Sequence, residues 1–477
     1  VDAERFFTHS LRDERVARIL AAALEAVDPD AAVSRYLISN PLPSAGRVFA
    51  LGLGKAALPM TRALSRFTDL TDALVITKHA SPLGFESATI IESGHPIPDS
   101  RSLAAGQTAL EFVSNLREDD LLVCLISGGG SALMTAPIVP LEDIQALTSA
   151  LLACGARIDE INTLRRHLDR VKGGGIAKAT KARVLSLILS DVVGSPLEAI
   201  ASGPTAPNPT TRDDAMVVLE KYFNVSLPRQ STAGLRGAAE RRRGNLLFDD
   251  AMRLLPPLGT MRFARNNIKI PASILHALSS APETPKPDDP IFSRVDNVIV
   301  GDNGLAVQAA LKQAEKEGFQ AESLGGDWQG EAREVGVALA QKLRVTTISQ
   351  TNPFCLIAGG ETTVTLNGDG NPASTKRGIG GRNQELALAA VPELARLENA
   401  ALVSLATDGE DGPTDAAGAV VTGDTLQRAH FLGLDPDDYL ARNDSYHFFE
   451  KLGDLLKIGP TGTNVNDLVF LLSLSKT

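Results

Sequence analysis

Residues 48–57 read VFALGLGKAA. Four apolar residues, Val48 to Leu51, run into Gly52-Leu53-Gly54, and Lys55-Ala56-Ala57 opens a helical pattern. A short apolar run, a glycine turn and a helix start form the repeating unit of a parallel sheet covered by helices. The same texture returns at Ala73–Thr77 before Lys78, Leu121–Ser127 before Gly128, and Val184–Ser190 before Asp191. Upstream, Leu11–Val27 carries apolar residues at helical spacing and stops at Asp28-Pro29, which predicts a helix.

The expected fold is therefore α/β in two domains, the first a Rossmann-like parallel sheet with helices on both faces. A second series follows the middle of the chain: Val298–Val300, a helix over Leu305–Gly318, Phe354–Ala358 before Gly359-Gly360, Ala401–Thr407 before Asp408, and Leu468–Leu474. Glu361–Asn367 (ETTVTLN) alternates like an antiparallel strand with one wet face, so the second α/β domain is expected to hold a mixed sheet. The boundaries read as 1–237, a linker over 238–290, and 291–477. The linker carries Arg241, Arg242, Arg243, Arg253, Arg262 and Arg265 and the prolines Pro282, Pro285, Pro287 and Pro290. A solvated basic segment and a docking patch for an anionic partner both fit it.

Composition narrows the function. Against 47 Lys+Arg stand 57 Asp+Glu in 477 residues, a formal charge of −10, with four Tyr and one Trp. Such a chain lacks the basic field and the aromatic platforms that nucleic-acid binding uses. No apolar run approaches the roughly 18 residues of a membrane span. Cys124, Cys154 and Cys355 lie far apart in apolar runs, which suits buried thiols and excludes a paired-cysteine zinc site. The cytoplasm is the default location. The chain begins at Val1 and not at Met, so an upstream segment with a targeting peptide stays open as an expectation.

Three strand ends could hold an anion. The first, Gly52 to Ala57, fits G-x-G-x-x-A, but about 20 residues later the next strand ends in Thr77-Lys78-His79, where a dinucleotide site would place an acid. Lys55 inside the loop favours a phosphate or carboxylate; the Walker A pattern is absent. The second is Ser127-Gly128-Gly129-Gly130-Ser131, which lacks the later glycine of a nucleophile elbow and reads as an anion cradle or a plain turn. The third is Gly378-Ile379-Gly380-Gly381-Arg382-Asn383, where Arg382 offers a planar fork for phosphate oxygens, a flexible basic loop being the other reading. Acids punctuate the same loops: Asp191, then Asp408, Asp411 and Asp415, then Asp444, Asp454 and Asp467. Hard oxygen ligands beside cationic cradles are what Mg²⁺ with a nucleoside triphosphate requires, although Asp-Gly pairs are also turn formers.

These strings together resemble the glycerate 2-kinases with a C-terminal MOFRL domain. The resemblance rests on GLGKAA (Gly52 to Ala57), HPIPDSRS (His95 to Ser102), LISGGGSAL (Leu125 to Leu133), INTLRRHLDRVKGGGIA (Ile161 to Ala177), SDVVGSP (Ser190 to Pro196) and IASGPTAPNPTT (Ile200 to Thr211). It continues in GGETTV (Gly359 to Val364), GIGGRNQE (Gly378 to Glu385), ATDGEDGPTDAAGA (Ala406 to Ala419), NDSYHFF and GPTGTNVNDL, in order over nearly the whole chain. It implies ATP-dependent, Mg²⁺-assisted phosphorylation of D-glycerate at its 2-hydroxyl. Lys55 and Arg382 look like the paired cations on the phosphates, and Asp191 is the candidate to accept the hydroxyl proton. Asp408 is the candidate metal ligand. Gly52, Gly54, Ser127, Gly128, Gly129, Gly130, Ser131, Gly380, Gly381 and Asn383 would line the binding loops, with Lys172 or Arg166 for the glycerate carboxylate. The partners are then small molecules, with no nucleic acid or membrane, and the oligomeric state stays open, a homodimer among the options. A hydroxypyruvate reductase using NAD(P)H is the alternative, and a non-catalytic ligand-binding module the third reading. The segment Arg241 to Asn267 has no counterpart in the resemblance.

Overall fold

The computed structural model describes residues 2–84, 87–223, 270–350, 352–366 and 378–474. The arginine-rich segment 241–267 lies outside the described residues.

The first sheet has six strands: β1 (Arg47–Leu53), β2 (Asp72–Thr77), β3 (Ala88–Glu92), β4 (Asp120–Ile126), β5 (Arg183–Leu189) and β6 (Val295–Gly301). They are all parallel and lie in the order β3-β2-β1-β4-β5-β6. The expected runs are strands with bounds within one residue, except that β1 continues two residues past Leu51 to Leu53; β4 and β5 bury both faces and so read as continuous aliphatic stretches. One reading is corrected here. Val298–Val300 was expected to open the second domain, but it belongs to β6, the edge strand beside β5. A single apolar run carries no label for the sheet it joins; pairing with Val184–Leu189 decides that.

The second sheet is mixed, as expected. Its strands are β7 (Gln320–Ser323), β8 (Trp328–Glu331), β9 (Phe354–Thr363), β10 (Ala400–Ala406), β11 (Gly418–Thr422) and β12 (Asp467–Ser473), in the order β11-β10-β12-β9-β7, with β8 also on β9. β12 runs antiparallel to both β10 and β9, whereas β7 and β8 run parallel to β9. The expected separate antiparallel strand starting at Glu361 is instead the end of β9, pairing parallel with β8 at Gln329↔Glu361. Gly359 and Gly360 let the strand pass: a Cβ at Gly359 would overlap the Asn303 side chain, and one at Gly360 the Trp328 carbonyl.

Both sheets belong to one compact unit, formed by residues 1–136, 170–208 and 285–477. One hydrophobic cluster runs from Val123 and Leu187 of the first sheet to Ile357, Val403 and Phe470 of the second. Between them lie the helices Glu14–Ala26 and Asn303–Lys316, contributing Ile19, Leu20, Ala306 and Val307. Asp13 caps the first of these helices and Asp302 the second, each carboxylate accepting a backbone N–H of the first turn. The helix from Asn303 follows β6 directly, and the Asn303 amide donates to the carbonyls of Val465 and Asp467 at 3.0 Å each, so the end of one sheet is tied to the start of a strand in the other.

A smaller helical unit comprises residues 137–169 and 209–284. Its helices Leu141–Ala153, Ile158–His167, Arg212–Tyr222 and Ala272–Ser280 pack around Leu151, Leu164, Leu219 and Ile274. The unit is an excursion made by two separated parts of the chain, a division different from the expected linear boundaries at 237 and 291.

Candidate functional site

The strand order reverses between β1 and β4: from β1 the chain steps outward to β2 and β3, and from β4 to β5 and β6. Loops leaving two such strands diverge to opposite sides and open a crevice at their carboxyl ends. The first two glycine loops leave β1 and β4, whose register pairs Leu53 with Ile126. They are laced together: the Ser127 N–H donates to the Leu53 carbonyl at 2.8 Å, the Lys55 N–H to the Gly128 carbonyl at 3.0 Å, and the Ala56 N–H to Ser127 Oγ at 3.0 Å. Gly54, at φ +117°, has no room for a Cβ, which would lie 2.7 Å from the Ser127 carbonyl carbon. Ser127 is thus a buried brace that fixes the loop presenting Lys55. The Lys55 side chain is exposed, and no ion pair holds it among the described residues.

Asp191 follows β5 and lies against the second loop, where a Cβ at Gly128 would come within 2.6 Å of its Cγ. No ion pair or side-chain donor reaches the Asp191 carboxylate among the described residues. Burial pushes its pKa up to about 6, against the pull of its own N–H and of Lys55; the Glu361 charge pushes the same way as burial. Ser131 Oγ lies 2.7 Å from Ser202 Oγ. Ser202 and the preceding Ala201 hold positive φ angles of 61° and 50°, a strained pair that sits under the glycine loop, with Ala201 Cβ 2.8 Å from where a Cβ on Gly130 would be.

The third glycine loop departs from expectation. Its helix, Arg382–Leu394, does meet an anion at its N-terminus, but that anion is Asp411. The carboxylate accepts the N–H groups of Asn383 at 3.1 Å and Gln384 at 2.8 Å, and Gly381 lacks a side chain because Asp411 fills the space. Asn383 is buried, its amide oxygen accepting from Ser404 at 2.7 Å. Gly380 lies against Ser445, and the Tyr446 N–H donates to the Ile379 carbonyl. Gly380, Gly381 and Asn383 therefore pack this loop from within; the cradle is filled by the protein's own acid. Asp411 is pushed up to about 7, by burial first and by neighbouring Asp467 next.

Arg382 is likewise committed. Its Nε and Nη2 donate to Asp467 at 2.5 and 3.2 Å, and Nη1 to Glu361 Oε1 at 2.6 Å. The strand register makes this trio, since Asp467 opens β12 opposite Gly360, the residue before Glu361. Burial opposes the charge on Arg382, but the two carboxylates overcome it and hold the guanidinium ionised. Asp467 is pushed up to about 6 by burial, even with Arg382 pulling down. Asp408, one residue beyond Thr407 at the end of β10, is raised by burial and stands in the fields of both Lys55 and Arg382.

The charges of both expected cations, Lys55 and Arg382, reach Asp408. Around them stand five carboxylates, Asp191, Glu361, Asp408, Asp411 and Asp467. Gly52 lies inside β1 with its missing side chain replaced by Thr61 and Val75, so it serves strand packing rather than the loop. Lys172 is buried, its ammonium donating to the Met134 carbonyl at 2.9 Å under the second loop. Arg166 belongs to the helical unit, on Ile158–His167, and donates to Thr163 Oγ1 at 3.3 Å. Two participants carried no role in the sequence reading, Glu361 and His95. Glu361 lies inside β9 and is brought to Arg382 by the pairing of β9 with β12, so neither it nor His95 had a local signal.

An open sheet with a lysine loop and an unpaired acid at its switch point, backed by an arginine at a helix start that two acids of the second sheet hold, defines an α/β protein built to receive a polyanion beside a proton acceptor. The chain belongs to the glycerate 2-kinase family. Residues 15–235 match the domain of unknown function DUF4147 and residues 354–467 the MOFRL family. Glycerate 2-kinase of Pyrococcus horikoshii is 36% identical over 96% of this chain and 97% of its own. A putative hydroxypyruvate reductase of Agrobacterium vitis is 35% identical over 95% of this chain and 93% of its own. The crystal structure of a glycerate kinase from Thermotoga maritima superposes with a TM-score of 0.80 at 37% identity, covering 97% of this chain and 99% of that one.

Proposed function

We propose that this protein phosphorylates D-glycerate at its 2-hydroxyl with ATP, giving 2-phosphoglycerate. The observation that carries the reading is the placement of Asp191, ion-pair-free and held against Gly128 in the field of Lys55. Phosphoryl transfer asks little covalent chemistry of a protein: it needs the acceptor hydroxyl aimed in line, a base for its proton, and positive charge on the phosphates. In this reading Asp191 takes the proton, Lys55 meets the phosphate oxygens, and Arg382, oriented by Asp467, adds charge as Glu361 yields to the arriving anion.

Mg²⁺ suits the donor set. Among the described residues no three His, Cys, Asp or Glu side chains form a metal cage, and Mg²⁺ uses one or two carboxylates together with substrate phosphates. Asp408 would hold it, and its charge would offset that of the β- and γ-phosphate oxygens. The excess of carboxylates over cations here favours an incoming cation in the same sense.

The test is incubation with Mg-ATP and D-glycerate, followed by separation of 2- from 3-phosphoglycerate; formation of neither would refute the assignment. The reductase reading has the dinucleotide-like strand order in its favour. Against it, β2 ends at Thr77 and is followed by Lys78 instead of an acid. Hydroxypyruvate-dependent oxidation of NADH without ATP would establish it. Among the described residues no helix is long and apolar enough to cross a membrane.

A further inference from the structure

The second glycine loop is flanked at two consecutive residues by two different side chains. At Gly128 the neighbour is Asp191; at Gly129, a Cβ would lie 3.1 Å from both Cδ2 and Nε2 of the His95 ring and 3.5 Å from Lys55 Cγ. Gly129 sits at φ +83°, so the backbone as well as the space calls for glycine there, and the imidazole fills what a side chain would take. Two consecutive residues of one loop therefore place the proton acceptor and the imidazole at the same cradle. Lys55 links them, since its charge acts on both Asp191 and His95.

We infer that His95 is the specificity-determining residue for the acceptor, binding the hydroxyl of D-glycerate that is not phosphorylated. This rests on the kinase reading above. Among the described residues no group hydrogen-bonds the half-buried His95 ring, so both nitrogens are available to a ligand. Burial, then the charges of Lys55 and Lys78, hold its pKa below the ordinary value, so the ring facing the loop is neutral at pH 7. A neutral imidazole has one donor and one acceptor. That pair matches a hydroxyl, which also gives and accepts, better than it matches a carboxylate or phosphate, which the ammonium of Lys55 already suits.

The test compares wild type with His95→Phe, which keeps a ring of similar size without polar atoms, and His95→Gln, which keeps a donor and an acceptor. In H95F the KM for D-glycerate should rise roughly 30-fold, the worth of one lost hydrogen bond to a buried partner, with the KM for ATP within about threefold of wild type. H95Q should recover most of the loss. Wild type should prefer D-glycerate to D-lactate, which lacks the 3-hydroxyl, and H95F should lose that preference. A rise in the KM for ATP in step with that for glycerate, or discrimination against D-lactate unchanged in H95F, would overturn the inference. If wild type forms no phosphoglycerate, the kinase reading fails by itself, and calorimetric titration of D-glycerate into wild type and H95F decides the role of His95: equal affinities refute it.

Discussion

Gly128→Ala isolates the role of Asp191 from that of the fold. Gly128 lacks a positive φ, so alanine costs no backbone strain; the whole effect falls on the neighbour. The new methyl would lie 2.1 Å from Asp191 Oδ2 and 2.6 Å from its Cγ, where ordinary contact begins near 3.4 Å. The carboxylate must therefore withdraw by about 1 Å or more. A misplacement near 1 Å of a group that aligns reactants costs on the order of 100-fold in rate, equal to about 2.7 kcal/mol of barrier. Because Asp191 has no ion pair to lose, moving it should leave global stability within about 1 kcal/mol. The assay is steady-state phosphorylation of D-glycerate by Mg-ATP, with thermal unfolding measured in parallel. The expected result is kcat down about 100-fold with an unchanged melting curve. A kcat within threefold of wild type in a folded G128A protein would show that Asp191 does not act on the reacting hydroxyl, and a loss of activity tracked by loss of fold would show that the methyl acts on packing instead.

Three further outcomes follow from the same geometry. The acid limb of kcat/KM should have an apparent pKa near 6 that is missing from the residual activity of D191N. The sign is fixed by burial, which raises the carboxyl from 3.8 to about 6, so activity is lost as pH falls through 6, whereas the stability cost of ionising this acid appears as pH rises from about 4 to 6; a pH-independent rate from 5 to 8 would contradict this. Lys55→Ala should abolish turnover while changing stability by less than about 0.5 kcal/mol, whereas Arg382→Ala should also destabilise by about 3–5 kcal/mol, because it strands buried Asp467; equal melting of the two variants in urea would refute the pairing. Gly381→Ala should expel Asp411 from the helix terminus and lose about 2 kcal/mol, the worth of two backbone N–H bonds, and a variant as stable as wild type would show that Asp411 is no cap.

Much of the site was legible because glycine loops after aliphatic runs obey local rules. The strand at Val48, the turn at Gly54 and the exposed lysine after it all follow from ten residues, and so does the acid after β5. Arg382 was legible as a cation near phosphates, but not as a cation already shared between Asp467 and Glu361. Its partners are 85 and 21 residues away, and no local pattern encodes a register between β9 and β12. The same distance hid the occupancy of the third cradle, where Gly381 reads as an opening for a ligand until Asp411 is found in it.

By itself, then, the sequence determined the parallel sheet, the mixed second sheet and the loops able to meet an anion, since period, turn chemistry and glycine placement act over a few residues. Tertiary structure alone decided that Val295–Gly301 completes the first sheet, that Asp411 fills one helix terminus, and that Lys55, Asp191, Asp408 and Arg382 share one electrostatic environment. Those outcomes depend on which distant segments pack together, and packing is settled by the burial of whole faces, not by any short stretch of chain.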